Sequence, residues 1–151
     1  MKFKEMTLKV VPVKPKKDLL SSLRYLKNQF GACGLKLSTE DAAMSIEQIG
    51  YWAEFSGNIL STVVKIGGPN ARNDIKQLLP LNIDGLIAPM VESPYGLKNF
   101  ISAVRDFTTP MQFERVKKQI NIETETAVRQ LDSILSAPEA KYIDEITIGC
   151  R

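Results

Sequence analysis

The sequence predicts an α/β fold: a parallel (β/α)8 barrel, incomplete, with about five βα units. Three observations predict it. Five short, nearly continuously apolar segments alternate with helical segments, which is the order of repeated βαβ units. Those segments read as parallel strands buried on both faces. Polar residues fall at or just past their C-terminal ends, the face on which such barrels carry chemistry. An open doubly wound sheet is the competing closure, but no GxGxxG fingerprint follows the first strand.

The elements follow in order. Residues 1–17 hold six lysines and one glutamate, so the net charge of +3 resides in a basic N-terminal arm and the remainder is mildly acidic. The arm lacks interleaved aromatics or a nucleic-acid motif and reads as a solvated leader ahead of one barrel domain, residues 18–151. Asp18 is placed as N-cap of a helix whose Leu19, Leu23, Leu26 and Phe30 share a face, with Gly31 as its stop. "GLKLST" (34–39) is the first strand. Ser38 or Thr39 is expected to cap a helix from Glu40 to Phe55. "STVVKIGG" (61–68) is a strand entering a glycine turn, "NARNDIKQLL" (70–79) a helix, and "DGLIAPMVES" (84–93) a strand running into a loop. Proline opens the helix 94–107 at a position where it is tolerated. "QINIET" (119–124), a helix over 125–137 and "IDEITIG" (143–149) complete the series, and 108–118 is ambiguous. A poor further strand is conceivable at 6–13.

Composition excludes several functions. With 44% hydrophobic and 25% charged residues the chain is an ordinary globular one, with no membrane-length apolar run and no secretory signal, so a cytoplasmic protein is expected, with no nucleic-acid and no membrane partner. There is no histidine, which removes Ser-His and Cys-His pairs, and Cys33 and Cys150 form no ligand cluster, which argues against zinc. Any metal is expected on oxygen ligands.

The candidate site residues are those at the strand ends: Glu40, Lys65, Glu92 and Glu123. In "QINIETE", Asn121 and Glu123 point to one side of the sheet and Ile120 and Ile122 to the other. Glu123 there is a metal ligand, a cap for the next helix or an ion-pair partner of Lys65. After Lys65, Gly67 and Gly68 make a turn able to aim amides at an anion, although a plain βα loop needs the same glycines. Ser93 reads as the N-cap of the helix at Pro94, and Glu92 as a neighbour of its positive end or a site residue.

"VVKIGG", "DGLIAPMVES", "INIETE" and "IDEITIGCR", in this order and spacing, resemble the HpcH/HpaI aldolase and citrate lyase β-subunit family, over roughly residues 34–151. The resemblance implies a TIM barrel of the pyruvate and phosphoenolpyruvate type, cytoplasmic and homo-oligomeric. It also implies a Mg2+- or Mn2+-dependent carbon–carbon lyase acting on a 2-oxo acid or related small carboxylate through a metal-stabilised enolate. Glu123 matches the family's metal-binding glutamate. Lys65 and Glu40 become the catalytic candidates, and Gly67, Gly68, Glu92 and Arg151 the substrate-binding ones. The second ligand, an aspartate, is implied immediately after Arg151, so the chain is expected to be partial and to bind metal weakly. Two departures stand out. Lys65 replaces the family's arginine, losing its bidentate fork, and the aldolase branch's histidine relay is absent. A carboxylate- or phosphate-binding module, or an assembly module, derived from the same barrel is the alternative.

Overall fold

A computed structural model describes residues 16–149 of the protein. Its five strands are β1 (Gly34–Ser38), β2 (Ser61–Lys65), β3 (Gly85–Ala88), β4 (Lys117–Ile122) and β5 (Glu145–Ile148). They pair in parallel, each with its neighbour in sequence, in the order β1-β2-β3-β4-β5. The sheet curls into a half-barrel. The helices are α1 (Lys16–Phe30), α2 (Ile46–Ser56), α3 (Arg72–Leu78), α4 (Pro94–Asp106), α5 (Pro110–Arg115), α6 (Glu125–Arg129) and α7 (Leu131–Leu135), with 3-10 turns at Leu79–Leu81 and Pro138–Tyr142.

The period of two along each strand separates two environments. Leu37, Val64, Leu86, Ala88, Ile120 and Ile122 face the helical layer and join one core with Ile49, Ile75, Leu78, Leu97, Phe100, Ile101, Val104 and Ile134. The alternate positions include Lys65, Gln119 and Asn121, which are buried and polar. The helical side thus supplies the hydrophobic drive, and the other face carries the groups that can act. At Gly85 the strands approach so closely that a Cβ would lie 2.9 Å from both the Lys117 carbonyl oxygen and its Cβ. No other residue type fits β3 against β4 there without displacement.

Several expected boundaries move, each for a local reason. The second helix begins at Ile46 rather than Glu40, because Ser45 and Gln48 form a reciprocal capping box. Ser38 closes a turn instead, its hydroxyl oxygen accepting the amides of Glu40 and Asp41 at 3.1 and 2.9 Å. Residues 39–45 are therefore a loop beyond β1, and Ala43 within it has φ +46°. Helix α1 already includes Lys16, the first described residue, so Asp18 lies within the helix and not at its cap. Its apolar stripe stays outside the core: Leu26 and Phe30 are exposed. The ambiguous 108–118 stretch holds α5, opened by the Thr109–Gln112 capping box, and β4 starts at Lys117. The single helix expected over 125–137 breaks at Gln130 (φ −96°, ψ 2°) into α6 and α7. The cap at Ser93 forms as expected, accepting the Gly96 amide at 3.1 Å. Among the described residues, no helix is long and apolar enough to cross a membrane.

Candidate functional site

Parallel register sets the site. Lys65, the last residue of β2, pairs with Ser38 at the end of β1 and with Ile87 in β3, so the strand ends stand level. The Lys65 side chain is only 2% exposed. Its Nζ donates to Asp41 Oδ2 at 2.9 Å and lies 3.4 Å from Glu40 Oε2 and 3.7 Å from Glu123 Oε1. Glu123, one residue past β4, is held in turn: Asn121 Nδ2 donates to Oε1 at 2.9 Å, and the Met90 amide donates to Oε2 at 3.3 Å. Met90 reaches it by taking the left-handed region, φ +51°.

Lys65 thus faces three carboxylates at once. Burial alone pulls the Lys65 ammonium toward the neutral amine. The Asp41 hydrogen bond and the charges of Glu123 and Glu40 outweigh it, and the pKa stands above the ordinary lysine value. Lys65 is a permanent cation at neutral pH and not an amine nucleophile. Glu40 Oε2 is buried, and among the described residues its one close partner is the Lys65 ammonium at 3.4 Å.

Glu40, Lys65 and Glu123 therefore converge, and Glu92 does not join them. Its Oε1 accepts the Thr124 hydroxyl at 2.7 Å, beside a cavity of about 440 Å3 lined also by Gly67, Gly68, Asn70 and Met90. Gly67 gives its amide to Asp74 Oδ2 at 3.0 Å, so the anion it meets is the chain's own. Arg151 lies outside the described residues. A larger hollow, about 570 Å3 between α4, α5 and Tyr142, holds Arg105 and Phe113 and is remote from this cluster. The Lys65 rim is the better candidate because the facing charges are there.

No family model and no curated protein sequence matches this chain. Solved structures do. The HpcH/HpaI aldolase of Desulfitobacterium hafniense DCB-2 superposes with a TM-score of 0.66 at 19% identity, covering 88% of this chain and 65% of that one. Citrate synthase SbnG gives 0.72 at 17% identity, over 85% and 56%. An HpcH/HpaI aldolase/citrate lyase family protein of Burkholderia cenocepacia J2315 gives 0.67 at 15% identity, over 85% and 59%. In fold, the chain resembles the HpcH/HpaI aldolases and citrate lyases. It spans less than two thirds of the length of each of these three structures.

For a divalent ion, the residues present offer a partial fit. Among the described residues no three Asp, Glu, Cys or His side chains make a ligand set. Yet three carboxylates gather there, and among the described residues the buried Glu40 Oε2 has only the Lys65 ammonium beside it. That donor set suits an ion held by one or two carboxylates with substrate and water completing the shell, the usual manner for Mg2+.

Sequence reasoning passed over Asp41, Met90 and Asp74. Asp41 was assigned to a helix that begins five residues later. Met90 acts through its main chain, for which no side-chain signal exists. Asp74 acts across 35 residues of sequence on Thr39.

Proposed function

We propose that the protein acts as an aldolase/citrate-lyase-like carbon–carbon lyase, or forms part of one, on a 2-oxo acid or related small carboxylate. The observation that carries this reading is the buried Lys65 ammonium facing Glu40, Asp41 and Glu123 at the C-terminal rim of a parallel half-barrel. We take the full barrel to be eight-stranded and the protein to be cytoplasmic and homo-oligomeric, with no nucleic-acid or membrane partner.

Cleaving or forming a bond next to a keto group develops an enolate, and a preorganised cation lowers its energy. Lys65 Nζ supplies that charge without needing to change protonation. Glu40 Oε2, which among the described residues has only the Lys65 ammonium beside it at 3.4 Å, is the oxygen placed to accept a proton from the carbon beside the carbonyl. Gly68, Glu92 and the cavity beside them accommodate the remainder of the substrate. A Mg2+ or Mn2+ ion, with Glu123 as its protein ligand and Glu40 close by, would add Lewis-acid stabilisation of the enolate. Asn121 and the Met90 amide orient Glu123 for that role.

The test is solvent exchange of the pyruvate methyl protons in D2O, followed by proton NMR with Mg2+ or Mn2+ present. Exchange above the metal-only rate is expected, and Glu40→Gln should lower it by about a hundredfold or more, as for loss of a general base. No exchange above that background would overturn the lyase reading. Tight binding of oxalate without exchange would favour the second reading, a non-catalytic carboxylate-binding module.

A further inference from the structure

Asp74 makes no contact with the Lys65 ammonium, yet it is bonded to both loops that build the cluster. It lies in the first turn of α3, a helix without a side-chain N-cap. An aspartate there would ordinarily serve the helix's own amides. Here a single oxygen, Oδ2, accepts the Thr39 hydroxyl at 2.7 Å and the Gly67 amide at 3.0 Å. Thr39 is the first residue past β1 and immediately precedes Glu40 and Asp41. Gly67 lies two residues past Lys65. Thr39 is also fastened to β2 directly, its amide donating to the Lys65 carbonyl at 3.0 Å. One carboxylate oxygen therefore ties the loop that carries two of the acids to the strand end that carries their cation.

We infer that Asp74 is a positioning residue of this site: through Thr39 and Gly67 it holds the Glu40–Asp41 loop over Lys65 and keeps the glycine turn in shape. The inference rests on the proposed lyase reading only for the importance of the site; the geometry it concerns is independent of turnover. Among the described residues, the other bonds of the loop beyond β1 run within it or to Lys65: the Thr39 amide and hydroxyl reach the Lys65 carbonyl, Asp41 accepts from Lys65 Nζ, and the Ala43 amide donates to the Glu40 carbonyl. Ser38 closes its first turn, and the Met44 amide returns to the Ser38 carbonyl. Without Asp74 the tie from Thr39 to α3 is lost, and the Gly67 amide turns toward solvent.

The experiment compares the full chain with Asp74→Ala and Asp74→Asn, in which the amide oxygen can still accept both bonds. Hydrogen exchange is read at the amides of 39–44 and 67–68, at those of α4 and β4 as a reference, and at the Lys65 ammonium by 15N NMR. Oxalate with Mg2+ is the binding probe. Asp74→Ala should accelerate exchange in the two loops and at Lys65 by about tenfold or more, as expected for losing hydrogen bonds to a charged acceptor, with α4 and β4 unchanged. Asp74→Asn should restore most of the protection. Oxalate affinity, where the parent protein shows any, should fall with Asp74→Ala and return with Asp74→Asn. Unchanged loop exchange in Asp74→Ala would overturn the inference, as would acceleration spread equally over β4 and α4. A parent protein that neither binds oxalate nor exchanges pyruvate protons defeats the lyase reading instead, and the loop exchange still decides the role of Asp74.

Discussion

Replacing Lys65 by methionine should be the most damaging single change at the rim. The stem is kept and the charge removed, so the apolar packing around it survives. What remains is three carboxylates that have lost the cation they share. Their exposures decide the cost. Asp41, 45% exposed, turns to water; Glu40, at 29%, does so in part; Glu123, at 8%, keeps only Asn121 and the Met90 amide. Removing one partner of a fully buried pair costs about 3–5 kcal/mol, and the two wetter acids place this case near the lower end, about 3 kcal/mol. For a chain of 151 residues that lowers Tm by about 6–12 °C. Urea unfolding followed by circular dichroism and by the fluorescence of Trp52, the only tryptophan, measures it. Adding Glu123→Gln should return about 1–2 kcal/mol, because the least solvated charge is then neutral. A Lys65→Met protein within about 0.5 kcal/mol of the parent, the range of ordinary surface changes, would refute the account of Lys65 as the shared cation. So would a further loss on adding Glu123→Gln.

Gly85→Ala should destabilise by about 1–3 kcal/mol through overpacking against Lys117, read as a shift in the urea midpoint. Ser93→Ala removes the cap of α4 and should cost about 1 kcal/mol by the same measurement. The raised Lys65 pKa sets a pH dependence. Below the unfolded value near 10.5 both states hold the proton and the stabilisation is complete, and it is lost as pH rises through the higher folded value. The stability difference between the parent and Lys65→Met should therefore be flat across the neutral range and shrink only in strong alkali, as urea titrations at several pH values would show.

The order and direction of the strands were legible because each strand segment is short, largely apolar and separated from the next by a helix-length segment. Convergence of Glu40, Lys65 and Glu123 followed from that order. What failed was local competition. Ser38, Thr39 and Ser45 all carry a cap signal, and only the three-residue spacing from Ser45 to Gln48 permits a reciprocal box. Glu92 and Glu123 look equivalent, each just beyond a strand, yet Thr124 draws the first outward while Asn121 holds the second inward. The stripe on α1 is periodic, but periodicity does not state what a face packs against, and here Phe30 is exposed. Asp74 was illegible because its partners are fixed by the distance between strand ends, which no sequence spacing encodes.

The left-handed turn at Met90 gives position 90 an unusual kind of constraint. Its service to Glu123 is rendered by the peptide amide, so any side chain that tolerates the left-handed region leaves the bond in place. Asparagine or glycine, which enter that region readily, should hold the amide as well as methionine does. Proline alone removes the donor outright. Substitutions at position 90 should therefore sort by backbone preference, with β-branched residues disfavoured, and not by side-chain polarity or size, although the orientation of Glu123 depends on it. Importance at this rim is partly written in torsion angles, where an alphabet of side chains has no letter for it.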